Sequence, residues 1–283
     1  MKYIVLGTDE AGYGPNLGPL VVSLTAWEAP SDDISFLFDV LEKEEIFIGD
    51  SKKLYRGGSI AVLESGVLVP LRLLEKSDLP IANDTEKIDR LSTTFESILH
   101  QHRIKLLDMQ YRSVEPEEWN QLLDHFDSKG TLLSHITLRL IAGQLEKLTQ
   151  NQEDSSPVLI LCDKHGGRNH YLDLLTVFFP GEFIQTVQQS RTSSVYRLTY
   201  SGRHLEFRFL TKGESHLPIA LASMLSKYRR ELAMVQFNAF WQSYVPDLQP
   251  TAGYPVDAKR FKQQIADVQK KLGITDESLW RKR

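Results

Sequence analysis

The sequence predicts an α/β chain in which helices flank a mixed β-sheet and a helical extension forms the C-terminal end; an α+β arrangement shares the same pattern. Three observations predict it. Two strand patterns open the chain, helical and strand patterns then alternate through the middle, and residues 241–283 carry a helical pattern without a strand.

Residues Lys2 to Thr8 alternate and are rich in Ile, Val and Leu, which reads as a buried strand. A Gly-rich segment from Ala11 to Pro19 follows, and Leu20 to Trp27 reads as a second strand. A short Gly/Pro loop between two strands predicts an antiparallel hairpin. Ser31-Asp32-Asp33 is placed to cap a short helix through Leu41. From Tyr55 to about Gly130 the signals are mixed. Asp84 to His102 has helical spacing, Ile104 to Val114 looks like a strand, and Pro116 opens a helix through Phe126. Thr131 to Leu148 is helical, with Leu132, Ile136, Leu140 and Leu145 on one face. Pro157 to Cys162 is a short apolar run bounded by Pro and Asp, the mark of a buried central strand. A short helix is expected after Arg168, then a hairpin of Ser194–Tyr200 and His204–Leu210. Leu217 to Phe240 is the longest helical pattern, and Pro218 falls in its first turn, where Pro is tolerated. Asp257 begins a last helix through Leu272. There is no internal repeat or low-complexity tract.

With 283 residues and 41% hydrophobic composition the chain can bury a sizeable core. The formal net charge of -4 gives no basic excess of the kind many nucleic-acid binders carry. A local basic track beside bound cations would serve equally, because the cations reverse the local charge. One cysteine, Cys162, excludes an intrachain disulfide and a thiolate cluster. The opening residues read as a strand and not a signal peptide, and no apolar run approaches the roughly 20 residues that cross a bilayer. A cytoplasmic protein is the expectation.

The segment from Gly7 to Val22 carries the most chemistry. Gly12, Gly14 and Gly18 invite a dinucleotide-binding reading, in which glycines follow the strand at once and a helix N-terminus receives the pyrophosphate. Asp9 and Glu10 stand between strand and glycines here, where they would repel phosphate, and the chain resumes as a strand. A plain Gly-rich turn with two exposed carboxylates is the bland alternative, since turns use Asp and Gly anyway. A metal site is the other: an Asp at the end of a buried strand is held rigidly, as a hard-cation ligand must be, and glycines let a nucleic-acid backbone approach.

Asp9-Glu10-Ala11-Gly12-Tyr13-Gly14-Pro15, followed by Gly18-Pro19-Leu20-Val21-Val22, resembles the opening of ribonuclease HII. Asp50-Ser51-Lys52-Lys53-Leu54 reproduces that family's second motif in the expected order. Asp163, after Val158-Leu159-Ile160-Leu161-Cys162, is similar to the family's Asp at the end of a central strand. Lys212-Gly213-Glu214 precedes Ile219-Ala220-Leu221-Ala222-Ser223-Met224-Leu225-Ser226-Lys227, similar to an acidic residue before an Ile-Ala-x-Ala-Ser helix. Small residues there also serve close packing on the sheet. Ala252-Gly253-Tyr254-Pro255 and the basic end Arg281-Lys282-Arg283 are a looser likeness.

The resemblance implies a ribonuclease H-like fold, with a catalytic domain over 1–240, an insertion at about 55–130, and a C-terminal helical extension over 241–283. It implies that Asp9, Glu10, Asp163 and Glu214 are both catalytic residues and ligands to Mg2+ or Mn2+, two cations roughly 4 Å apart. Gly12, Tyr13, Gly14, Ser51, Lys52, Lys53, Lys227 and Tyr254 are the expected nucleic-acid contacts, with Arg229 or Arg230 on the flanking backbone. For the basic residues a solvated surface charge is the alternative. His165 invites a proton-shuttle role, though a loop histidine is more often incidental. Two positions depart from the family pattern. Tyr13 stands where arginine is usual, so the charged phosphate contact is lost, and Glu214 stands where aspartate is usual, one methylene longer. The implied activity is hydrolysis of the RNA strand of RNA–DNA hybrids or ribonucleotide-containing duplexes. The rival expectations are a ribonuclease H-like nucleic-acid-binding protein with weak or no cleavage, and a metal nuclease acting on another structured nucleic acid. No protein partner is implied.

Overall fold

A computed structural model describes residues 2–55, 60–76, 84–126, 128–150 and 154–282. The two opening strands, β1 (Tyr3–Ala11) and β2 (Leu20–Ala29), pair antiparallel as their short Gly/Pro loop requires. β2 then pairs antiparallel with β3 (Lys105–Val114). On its other side β1 runs parallel to β4 (Val158–Asp163), which runs parallel to β7 (Arg203–Leu210). β7 closes antiparallel on β6 (Ser193–Tyr200), and β6 on β5 (Gln185–Gln189). The sheet therefore has seven strands in the order β3-β2-β1-β4-β7-β6-β5 and is mixed, as the sequence predicts.

Strand periodicity of two sorts the core. Val5, Trp27, Leu159 and Leu161 lie in one apolar layer with the long helix α8 (Leu217–Tyr244). The same layer takes in α1 (Leu37–Lys43), α3 (Ala61–Leu73) and α4 (Thr85–Gln101). Ile4, Leu6, Ile160 and Cys162 face the other layer, with α6 (Lys129–Thr149) and α7 (Leu172–Phe178). Burial of such side chains contributes about 1.5–3 kcal/mol each. α8 lies directly on β1 because Gly7 has no side chain: a Cβ there would stand 2.2 Å from the Pro218 carbonyl carbon.

The short α2 (Ser51–Leu54) packs its Leu54 against the first layer, whereas α5 (Pro116–Leu123), α9 (Pro255–Lys271) and α10 (Asp276–Leu279) belong to smaller clusters. α9 and α10 form a separate small core with Leu17, Trp241 and Leu248. Among the described residues no helix is long and apolar enough to cross a membrane.

Several boundaries differ from expectation. β1 runs to Ala11, so Asp9 and Glu10 lie inside the strand. The buried face of α6 is Leu133, Thr137, Leu138, Ile141 and Leu145, whereas Ile136 and Leu140 are half-buried over a smaller cluster around Trp119. Asp33 accepts from the Ser35 amide in a turn, and α1 begins only at Leu37. α8 continues past Phe240 to Tyr244, so its last turn enters the small core through Trp241. The middle region supplies β3, a full strand of the sheet, together with α3 and α4.

Candidate active site

The carboxylate cluster follows from strand register. β1 and β4 are parallel and paired Thr8 to Cys162; one residue further on each strand stand Asp9 and Asp163. Neighbouring strands are about 4.8 Å apart, so the two carboxylates leave the sheet side by side. Both belong to the odd-numbered, α8-facing set. After β7 the chain makes a 3₁₀ turn, Gly213–Ser215, entered through Lys212 in the left-handed region (φ 59°). The turn is tied to β4: the Gly213 amide donates to Asp163 Oδ1 at 3.1 Å. That bond brings Glu214 to the same end of the sheet.

Asp9 is only 8% exposed. Burial, together with the charges of Asp163 and Glu214, pushes its carboxyl up to about 7, against hydrogen bonds from Ser223 and the Glu10 amide that favour the ionised form. The Glu10 amide donates to Asp9 Oδ1 at 2.8 Å. Ser226 Oγ donates to the Asp9 carbonyl at 3.1 Å and to Ser23 Oγ at 2.8 Å, fixing the backbone beneath the carboxylate. Ser223 Oγ lies 3.0 Å from Ser51 Oγ. Ser223, which also hydrogen-bonds the Asp9 carboxyl, thereby links Ser51 to it. The small residues of α8 therefore do two things: they pack on the sheet, and their hydroxyls hold Asp9.

Glu10 is placed differently. Strand alternation sends it to the α6 side, away from Asp9, and its charge acts on Tyr13, whose phenol burial and Glu10 both raise. The structure thus gathers Asp9, Asp163 and Glu214 on one face and puts Glu10 on the other. Among the described residues no three His, Cys, Asp or Glu side chains form a ready metal cage. The donor chemistry nevertheless fits a hard divalent cation: all groups are carboxylates, and a buried Asp held up by its neighbours' charges is relieved by positive charge. A cavity of about 610 Å³ opens beside Glu214, bordered also by Asp50, Lys212 and Phe38.

The expected substrate contacts divide. Gly14 and Tyr254 are neighbours, and Tyr254 is 54% exposed at the start of α9, free to face a ligand. Gly12 sits at φ +90°, and a Cβ there would meet the Pro19 carbonyl oxygen at 2.5 Å and Arg230 Cδ at 2.7 Å, so this glycine is required by the fold itself. Ser51 is 3% exposed and hydrogen-bonded to Ser223, beneath Asp9. The side chains of Lys52 and Lys53 lie outside the described residues. Lys227 is paired with Glu231 at 2.6 Å and packs 4.3 Å from the Tyr55 ring. Tyr55 donates to the same Glu231 at 2.9 Å. Arg229 lies over the Tyr111 ring at 4.3 Å.

Arg230 lies inside the fold. It is 2% exposed and donates to the Ala252 carbonyl at 2.8 Å, which makes it a structural post behind the Gly12 loop. Arg281, invisible as a site residue in the sequence, stands beside it. Its guanidinium donates to the Gly12 and Pro15 carbonyls, and its amide donates to the Asn16 carbonyl at 2.8 Å. Asn16 returns a bond to the Arg281 carbonyl at 3.1 Å. His165 is buried, with Nδ1 2.9 Å from Ser134 Oγ, and burial and then Arg168 push it down to about 3. Its ring is thereby held toward the neutral form.

No protein-family model matches the sequence, and no curated protein matches it. Solved structures similar to the chain include a ribonuclease HII in complex with PCNA from Archaeoglobus fulgidus. There the identity is 16% over 99% of this chain and 94% of that chain, with a TM-score of 0.45. A Bst ribonuclease HIII in complex with Mn2+ is 17% identical over 99% of this chain and 66% of that chain, also at a TM-score of 0.45.

Proposed function

We propose that the chain is a ribonuclease H-type endonuclease that hydrolyses phosphodiester bonds in the RNA strand of RNA–DNA hybrids with the help of Mg2+ or Mn2+. One observation carries this reading: Asp9 and Asp163 stand one residue beyond the Thr8–Cys162 pair of two parallel central strands, and the turn bearing Glu214 is bonded to Asp163. The motif resemblance to ribonuclease HII falls on these same residues. Asp9, Asp163 and Glu214 would hold the cations, with Glu10 reaching the rim from the opposite face. Bound there, they would supply water activation and charge neutralisation at the leaving oxygen.

The rest of the work belongs to the chain. Ser223 and Ser226 keep Asp9 at one orientation, and rigid placement of reacting groups is where much of such a rate enhancement originates. Tyr254 offers an exposed ring beside Gly14 for a sugar or base face. A binding protein with weak or no cleavage is the second reading, favoured by Glu10 standing on the other face of β1.

The test is cleavage of three labelled duplexes in Mg2+ or Mn2+: a uniform RNA–DNA hybrid, DNA with one embedded ribonucleotide, and plain DNA. The proposal expects the ribonucleotide-containing duplexes to be cut and Asp9→Asn or Asp163→Asn to abolish cutting. No cleavage of any duplex refutes it in favour of the binding reading, and cleavage that survives in Asp9→Asn removes this site.

A further inference from the structure

On the far side of Tyr13 lies a cavity whose chemistry is opposite to that of the carboxylate cleft. It measures about 520 Å³ and opens between the N-terminus of α6 and the loop that leaves β4. Lys129, Arg168 and His170 line it together with Tyr13. No carboxylate is among its described lining residues, whereas the cavities along β7, α5, α4 and Glu214 each include at least one. In a chain of net charge -4 this is a local reversal of sign.

The cavity is also held open by design of its walls. One arm of the Arg168 guanidinium donates to Thr131 Oγ1 at 2.7 Å, anchoring the side chain across to α6. Its Nε is buried and meets no acceptor in the protein, which leaves a donor on a permanent cation without a partner. The Tyr13 hydroxyl lies against Gly166 and beside Gly130, at the boundary between Glu10 and Arg168, whose charges act on it in opposite directions. α6 has no acidic residue in its first turn, and Ser128 Oγ caps it by accepting from the Thr131 amide at 3.2 Å, so the positive end of the helix borders the cavity with that one amide already engaged. Cation, phenol donor and helix terminus thus border one cavity, where an oxyanion would meet the Arg168 charge and the Tyr13 hydroxyl.

We propose that this cavity is a phosphate-binding subsite, in which Arg168, the Tyr13 hydroxyl and the α6 N-terminus hold a backbone phosphate of the nucleic-acid substrate, with Lys129 adding charge. The phosphate chemistry stands on the cavity alone; only the source of the phosphate rests on the nuclease reading.

Two measurements test it. The first is thermal unfolding in EDTA with inorganic phosphate against chloride of equal ionic strength. Phosphate should raise the midpoint of the wild-type protein and leave that of Arg168→Gln unchanged; equal shifts in both overturn the subsite. The second is anisotropy of an RNA–DNA hybrid, again in EDTA, with one uncharged methylphosphonate placed at successive backbone positions. One position should weaken wild-type binding about tenfold. Arg168→Gln should lose a similar factor, become indifferent to that position, and bind with a salt slope lower by about one. Phosphate binding without any methylphosphonate effect overturns the nucleic-acid source. Should Arg168→Gln fail to fold, Lys129→Gln and Arg168→Lys carry the same comparison, with partial loss expected in each and wild-type behaviour in both refuting the subsite. A hybrid that is bound with this pattern but never cut refutes the nuclease reading and leaves the subsite standing. A hybrid that is cut with an unchanged KM in Arg168→Gln does the reverse.

Discussion

Replacing Asp9 by Asn should make the metal-free protein more stable at pH 8 while destroying its response to divalent cations. The reasoning starts from the proton. In the folded chain the Asp9 carboxyl is pushed from 3.8 to about 7, chiefly by burial and then by Asp163. Between those values the folded state keeps a proton that the unfolded chain has released, so stability falls as pH rises from about 4 to about 7 and is level above. A shift of about three pH units at about 1.4 kcal/mol each amounts to at most about 4 kcal/mol of folded-state penalty at pH 8. Asparagine is nearly isosteric, carries no charge, and still accepts from Ser223 and the Glu10 amide through its carbonyl oxygen. The variant should therefore gain roughly 2–4 kcal/mol at pH 8, or about 3–7 °C in midpoint, and only about 1 kcal/mol at pH 4.5, where the unfolded carboxyl is already mostly ionised. Scanning calorimetry in EDTA at both pH values measures this. Millimolar Mn2+ should then raise the wild-type midpoint at pH 8 and leave the variant's where it was. A variant no more stable than wild type at pH 8, or one with the same gain at both pH values, refutes the assignment of Asp9 as a strained, cation-seeking carboxylate.

Four other outcomes follow from the same structure. Gly7→Ala drives a methyl group into the Pro218 carbonyl and should cost about 3 kcal/mol or more in urea unfolding, because backbone and not a mobile side chain must give way. Burial alone would raise Asp108, but hydrogen bonds from Lys76 and Lys147 outweigh it and hold the carboxyl below its usual range. Its stabilisation is present above about pH 4 and lost as pH falls through the lower folded value, so the urea midpoints of Asp108→Asn and wild type should converge between pH 6 and pH 3. The His165 ring, pushed down to about 3, should keep neutral-form nitrogen shifts in NMR from pH 8 to pH 5; titration near 6.5 would return it to the list of proton carriers. Arg281→Met removes the donors to the Gly12 and Pro15 carbonyls and should raise KM for the hybrid several-fold with a smaller change in kcat; an unchanged KM shows that the loop keeps its shape unaided.

The parts of this molecule legible in its sequence are those set by local pattern. Alternation and apolar runs locate β2, β3, β4 and the β6–β7 hairpin within a residue or two and β1 within three, and they place Asp9 and Asp163 at one end of the central strands. β5 is missed because all five of its residues are exposed, leaving no buried face to mark it. α3 is missed because Pro70 interrupts its spacing, although the helix continues through it. The site divides in the same way. Glu10 adjoins Asp9 in the motif, and only the pleat of β1 reveals that the two point apart. Ser51, Lys227 and Arg230 read as substrate contacts, yet each is engaged by a partner on a distant segment or on its own helix, which residue type alone does not disclose. Arg168 and Lys129 carry no motif at all, and their meeting around Tyr13 depends on α6 and the β4 loop closing together.

The bonds between Arg281 and the Gly12–Asn16 loop join points separated by 265 and more residues. Contacts of such separation form late, since the whole intervening chain must first be brought into place. Until Arg281 docks, the Gly12–Asn16 loop lacks the partners of its carbonyls, so the surroundings of Tyr13 and Gly14 are set by a contact that spans nearly all of the described residues.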